Sequence, residues 1–248
     1  RQRQMCIRDS GGMTCPNRDG SLSYTGCFYC SEGGSGDFAS DSSLPIAAQL
    51  SEARRRLSSK TDCRKFIAYF QAFTNTYAPV EYLEKIFYEA ISDPSVCVLS
   101  IGTRTDCFND EIYDLLSRLN NIKPVWIELG LQSIHQSTLD AMNTHTKVSD
   151  FTVVCNELNK RSIKVIAHLI LGLPGETKEM MLESVDFAAK SNIFGIKLQL
   201  LHVLRNTKLA ELYEKDPFPL FSLEEYCDFI VDCIDCLLYT SDAADDRI

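Results

Sequence analysis

No run of about 18 apolar residues occurs in the 248-residue chain, so no membrane-spanning helix is expected. No segment has the basic, apolar and small-residue order of a secretory signal. Without such a signal, the eleven cysteines are expected as reduced thiols in the cytoplasm rather than as disulfides. Basic residues are outnumbered, 25 Lys and Arg against 34 Asp and Glu. The net charge of −9 argues against broad, nonspecific nucleic-acid binding but leaves room for a local basic groove. No G-x-G-x-x-G turn follows a first strand, which argues against a dinucleotide-binding open sheet. What remains is ordinary for one soluble domain with a full core: 45% hydrophobic and 24% charged residues.

Both ends read as foreign. RQRQMCIRDS (1–10) and CLLYTSDAADDRI (236–248) contain MCIRDS and CLLYTS. These can be back-translated to stretches that resemble the two strands of one transposon-type sequencing adapter. Set aside as translated adapter, they leave a native span from Gly11 to Asp235 that is expected to form one truncated core domain. Cys6 and Cys236 then drop out of the count. The net charge is unchanged, because the first piece carries three Arg and one Asp and the second three Asp and one Arg.

Within the native span, strand-like and helix-like segments alternate. Near-continuous apolar, β-branched runs at Lys65–Ala72, Ser95–Gly102, Pro124–Gly130, Ile163–Gly172 and Gly195–Val203 predict parallel strands covered on both faces. Helix starts are signalled by Ser43 with Pro45, Pro79, Asn109, Ser149, Thr177 and Ser222, the last with Glu225 at the capping-box position. The strand spacing is that of βα units, so the chain is expected to be α/β, a partial parallel (β/α)6 barrel. Sites in such barrels sit at the C-terminal ends of strands. Gln71, Thr74 and Asn75, then Thr103, Arg104 and Asp106, then Gln132 and Ser133, then Glu176, then His202 and Arg205 fall there. Asp106 and Cys107 are candidates for handling substrate or a proton. His168, inside an apolar run, reads as a satisfied core histidine, and Tyr69 and Trp126 read as core.

Cys15, Cys27 and Cys30 carry the chemistry. They form C-x11-C-x2-C in a Gly-rich loop, with Tyr29 before the last cysteine. A closed structural zinc site wants four ligands, usually from two C-x2-C knuckles, and no second knuckle lies in the native span. Three thiolates suit an iron–sulfur cluster with one open metal position. Zinc with a distant fourth ligand such as His145 or His202, in a scaffold module without catalysis, is the other reading.

In TCPNRDG, GCFYCSEGGSGDF, YFQAFTNTYAP, SIGTRTDCF, ELGLQSIHQSTL, LILGLPGE and GIKLQLLHVLRNTKLAELY, taken in this order, the chain resembles the radical S-adenosylmethionine (radical SAM) superfamily and its YhcC-like branch. The superfamily's usual spacing is C-x3-C-x2-C, and this branch widens the first gap. The resemblance implies a [4Fe–4S] cluster on Cys15, Cys27 and Cys30, with S-adenosylmethionine chelated at the open iron. The cofactor would be cleaved reductively to a 5′-deoxyadenosyl radical that takes hydrogen from substrate. It further implies Tyr29 packed near the adenine, Gln71 and Thr74 at the methionine amine, Gln132 at the ribose, and Ile170 and Gly172 bordering the adenine. An electron donor such as flavodoxin or ferredoxin is implied as a partner. A tRNA wobble uridine is one candidate substrate, and a small metabolite or porphyrin is another. Three features depart from the family pattern. Met142–His145 stands where many relatives carry an arginine, and Thr105 where they often carry proline. The family's first strand and C-terminal part are expected to be missing, which would leave a bare sheet edge.

Overall fold

The computed structural model describes residues 5–34, 39, 41–58 and 63–245. The Ser35–Phe38 stretch of the cysteine motif and the outer residues of both adapter-like ends lie outside the described residues.

Six parallel strands stand side by side in chain order: β1 (Met5–Asp9), β2 (Phe66–Phe70), β3 (Val96–Thr103), β4 (Val125–Gln132), β5 (Lys164–Leu171) and β6 (Gly195–Leu200). They form a curled half-barrel. Five of them fall on the five apolar runs. The helices that follow the strands are α1 (Ile46–Ser58), α2 (Val80–Ser92), α3 (Asp110–Asn120), α4 (Gln136–Ala141), α5 (Val148–Lys160), α6 (Lys178–Lys190), α7 (Lys208–Lys215) and α8 (Leu223–Asp245).

The first-strand place, expected to be vacant, is filled. Met5–Asp9 pairs with β2 in continuous register from Met5↔Phe66 to Asp9↔Phe70. The physical reason is the edge itself. A bare β2 edge offers a row of backbone donors and acceptors that any extended neighbouring segment can pair with. The chain is then anchored where β1 ends. Ser10 N–H donates to Gln49 Oε1 on α1 at 2.9 Å, and Gln49 Nε2 donates back to Ser10 O at 2.9 Å, both buried.

Alternate residues of a strand face opposite sides. One set of strand residues, Ala68, Phe70, Leu99, Ile101, Ile127, Leu129, Val165, Ala167 and Leu169, belongs to the hydrophobic core. It packs with Leu83, Phe87, Leu115, Leu116, Phe151 and Leu158 from α2, α3 and α5. Phe70 and Phe87 meet edge to face at 5.1 Å.

The cap signals place most helix starts. Asn109 accepts from Ile112 N–H at 2.9 Å, Thr177 accepts from Met180 N–H, and Ser222 and Glu225 form the reciprocal capping box. Ser149 does not cap α5. That helix begins at Val148, with Lys147 at the cap position and no side-chain cap bond.

Candidate active site

The cysteine loop is fastened to three separate elements beyond its own turns. Phe73 N–H donates to Gly34 O and Thr74 N–H to Thr14 O, which ties the loop to the end of β2. Phe28 N–H donates to Met142 O, and Asn17 Nδ2 donates to Asn143 O at 2.6 Å, which ties it to the turn after α4. Leu209 N–H donates to Phe28 O from the start of α7. Inside the loop, the Arg18 guanidinium donates to the carbonyls of Cys30, Ser31 and Glu32. At Gly26, with φ of +73°, an added Cβ would sit 2.8 Å from Arg18 Nε, so glycine is required there.

This fastening turns Cys15, Cys27 and Cys30 toward one cavity of about 540 Å³ at the C-terminal ends of the strands. A hydrogen bond from the Cys30 thiol, helped by the Arg104 charge and the Asn17 amide, holds Cys27 down at about 6 against the opposing effect of burial. The Cys30 thiol, which donates that bond and is itself buried, is pushed up. Burial pushes the Tyr29 phenol up as well.

Tyr29, Gln71, Thr74, Gln132 and Ile170 line the same cavity. Gln71 Oε1 and Gln132 Oε1 are buried with no hydrogen-bond partner. Gln132 is held with φ of +66° at a register shift between β4 and β5. A non-glycine residue in the left-handed region at a strand end marks a site where geometry is kept at a cost of about 1–3 kcal/mol. Gly130 makes room for it, because a Cβ there would lie 2.8 Å from Gln132 Nε2. Gly172 does not line the cavity. It sits with φ of +90°, its face turned to Phe221 and Leu201.

Asp106 and Cys107 are not in the cavity wall either. They border a separate shallow hollow with Thr76, Tyr77 and Phe108. The chain turns away after Thr103, where Thr76 Oγ1 donates to Cys107 O at 2.7 Å. Asp106 reaches the cavity only through Arg104, which lines it and donates to both Asp106 oxygens at 2.9 and 2.7 Å. Burial opposes the Arg104 charge, but the Asp106 carboxylate outweighs it. Burial, with Asp106 adding to it, pushes the Cys107 thiol far up, which makes it inert as a nucleophile at neutral pH.

The lumen side of the strands was not read as polar from the sequence, yet it carries a layer of polar side chains. Glu128 on β4 is 3% exposed. It accepts from Ser100 Oγ on β3 at 2.6 Å, from His168 Nε2 on β5 at 2.7 Å and from Lys197 Nζ on β6. Lys197 Nζ also lies 4.4 Å from the ring centre of Tyr69 on β2. Burial would raise the Glu128 carboxyl, but the His168 hydrogen bond and the His168 and Lys197 charges overcome it and hold the group at about 2. His168 and Tyr69, read from sequence as core, line the cavity with Glu128.

Among the described residues, no three or more His, Cys, Asp and Glu side chains form a ready-made site for a metal ion. The thiols open on a shared cavity and are not gathered around one point. Three such thiols, with two unpartnered buried amide oxygens in the walls of the same cavity, fit a thiolate-held cluster beside a ligand that brings N–H or O–H groups.

The chain is similar to known proteins over most of its length. The profile of the Radical SAM superfamily matches residues 15–188, and that of the Radical_SAM C-terminal domain matches residues 193–240. The Bacillus subtilis protein YtqA is 39% identical over 227 residues, covering 92% of this chain and 70% of that protein. The Escherichia coli protein YhcC is 34% identical over 217 residues, covering 87% and 69%. Among solved structures, the archaeal Methanocaldococcus infernus Elp3 superposes with a TM-score of 0.68 at 17% identity, covering 92% of this chain and 53% of that one. Coproporphyrinogen III oxidase (HemN) from Escherichia coli, a radical SAM enzyme, gives 0.64 at 13% identity, with 97% and 54% covered. The chain thus spans about half the length of these two solved structures, and the structural likeness speaks to the fold alone. With a family profile over most of its length and relatives above 30% identity, the chain belongs to the radical SAM superfamily, in company with YhcC-like proteins.

Proposed function

We propose that Cys15, Cys27 and Cys30 would hold a [4Fe–4S] cluster, and that S-adenosylmethionine would bind in the cavity these cysteines line. Together, the bound cluster and cofactor supply a 5′-deoxyadenosyl radical for hydrogen abstraction from substrate. The chain's own residues bind, orient and exclude water. The observation that carries this reading is the opening of all three thiols, with the unpartnered Gln71 and Gln132 amide oxygens, on one cavity. Gln71 Oε1 and Gln132 Oε1 would accept from donor groups of the cofactor, Thr74 would add a hydroxyl, and Tyr29 and Ile170 would supply apolar surface for a flat ring. Gly172 borders that surface as a turn rather than as a contact. Arg104, fixed by Asp106, keeps a positive charge beside the thiolates, so Asp106 is a positioning residue. Cys107 has no role in this scheme.

The substrate we favour is a tRNA wobble uridine. The support is a 28% identical match over 54% of this chain to a protein named tRNA uridine(34) acetyltransferase from Methanocaldococcus jannaschii. A cytoplasmic flavodoxin or ferredoxin is the proposed electron donor. Among the described residues no helix is long and apolar enough to cross a membrane. Anaerobic reconstitution tests the reading. A brown protein with about four irons per chain, releasing 5′-deoxyadenosine with dithionite and S-adenosylmethionine, supports it. A colourless protein that binds zinc alone overturns it.

A further inference from the structure

The interior of a closed parallel barrel is ordinarily filled by branched apolar residues. This half-barrel instead places a polar residue from each of five strands in its lumen: Tyr69, Ser100, Glu128, His168 and Lys197. Polar groups at this depth are costly unless paired, and here the pairing is nearly complete. Glu128 is occupied by Ser100, His168 and Lys197, and Lys197 is occupied by Glu128 and the Tyr69 ring.

One contact in the layer is loose. His168 donates its Nε2–H to the Glu128 carboxylate, and in that tautomer Nδ1 is an acceptor. Gln199 Nε2 lies 3.4 Å from Nδ1, at the long limit of a hydrogen bond. Both residues line the cavity. A fixed acceptor therefore stands beside an amide donor. Gly130 on β4 pairs with His168 and Gly102 on β3 pairs with Glu128, and neither projects a side chain into this layer.

We propose that this pair is the substrate subsite, and that it takes a planar group with an N–H next to a carbonyl, the lactam or imide edge. His168 Nδ1 accepts from the N–H and Gln199 Nε2 donates to the carbonyl oxygen. Glu128 is a positioning residue that fixes the imidazole tautomer, and Lys197 and Ser100 fix Glu128. The pair is on β5 and β6, while the proposed cofactor contacts Gln71 and Gln132 stand at the ends of β2 and β4, so the subsite adjoins the cofactor contacts. The inference deepens the wobble-uridine reading of the substrate and rests on it for the choice of probe, since uracil carries such an edge.

The test is ligand-observed NMR of free uridine on the reconstituted holoprotein with S-adenosylmethionine present. Uridine methylated at the imide nitrogen serves as the blocked control. Wild type is expected to bind uridine and to reject the methylated form by ten-fold or more. Gln199→Leu and His168→Phe are expected to weaken uridine at least ten-fold. Glu128→Gln is expected to do the same while preserving iron content and the affinity for S-adenosylmethionine. Absence of uridine binding by wild type overturns the proposal, as does equal binding of the methylated form. Should His168→Phe fail to fold, Gln199→Leu decides, because its side chain carries no core packing; unchanged uridine binding in that variant overturns the proposal too. Loss of S-adenosylmethionine binding in Gln199→Leu would assign the pair to the cofactor and also refute it. Failure of the radical reading appears separately, as a holoprotein that binds uridine but releases no 5′-deoxyadenosine.

Discussion

Glu128→Gln probes the lumen network through stability alone. The Glu128 carboxyl is held at about 2 instead of its ordinary 4.5. At about 1.4 kcal/mol per tenfold change, that difference amounts to about 3 kcal/mol of stability when the group is ionised in both states. Because the folded value is depressed, the contribution is present above the unfolded value and is lost as the pH falls toward the folded one. Between about pH 6 and about pH 3 the loss is about 2 kcal/mol. Glutamine cannot titrate, so the variant lacks this slope. Urea unfolding of the reduced, iron-free chain at the two pH values measures it. The stability difference between wild type and variant should shrink by about 2 kcal/mol on acidification. Taking the change between two pH values removes the pH-independent cost of the lost hydrogen bonds. A difference that stays constant from pH 6 to pH 3 would refute the claim that His168 and Lys197 stabilise a buried carboxylate.

Other consequences are measurable in parallel. Replacing any one of Cys15, Cys27 and Cys30 by alanine should drop the iron content of reconstituted protein from about four per chain to near zero, read by colorimetric iron assay. Gln132→Gly should relieve the positive-φ strain and stabilise the chain by up to about 1 kcal/mol in urea unfolding, yet weaken S-adenosylmethionine binding in equilibrium dialysis. Gln132→Ala should weaken binding without the gain in stability. Asn109→Ala removes the acceptor for Ile112 N–H and should cost about 1 kcal/mol, with no effect on iron content.

The barrel was legible because its signals are local and repeated. The helix-facing residues of β2 to β5 are apolar, and Asn109, Thr177 and the Ser222–Glu225 pair bond backbone within one turn of themselves. That the three cysteines belong together was legible because their spacing is fixed by the chain, and they do line one cavity. Legibility failed where a position depends on a distant partner. Asp106 was expected at the cavity, but Thr76 draws the backbone away after Thr103, so Arg104 takes the place instead. Ser149 has the right residue type for a cap, but α5 starts one residue earlier, at Val148, where Lys147 supplies no side-chain bond. Met5–Asp9 was set aside as translated adapter and nevertheless forms β1. We still propose a foreign origin for that segment. Pairing through backbone groups asks only for an extended chain, so occupancy of the edge carries no information about origin.

The lumen layer was missed for a different reason. Each strand run reads as apolar because its polar residues are few: Tyr69 in β2, Ser100 and Thr103 in β3, Glu128 and Gln132 in β4, Lys164 and His168 in β5, Lys197 and Gln199 in β6. Taken one strand at a time, such a residue is best explained as a lone satisfied polar group. Register changes that reading. Tyr69 pairs with Ser100, Gly102 with Glu128, Gly130 with His168, and His168 with Lys197. The polar positions therefore step toward the C-terminal strand ends from β2 to β6 on one surface, which no single run reveals. An isolated buried carboxylate would shift its ionisation or disrupt the core. One that meets a hydroxyl, an imidazole and an ammonium from three other strands is held ionised, and it fixes the orientation of the histidine beside it. The same physics explains why the half-barrel need not close on an apolar core. Its helix-facing layer carries the packing, and Tyr69, Glu128 and His168 in the lumen line the cavity.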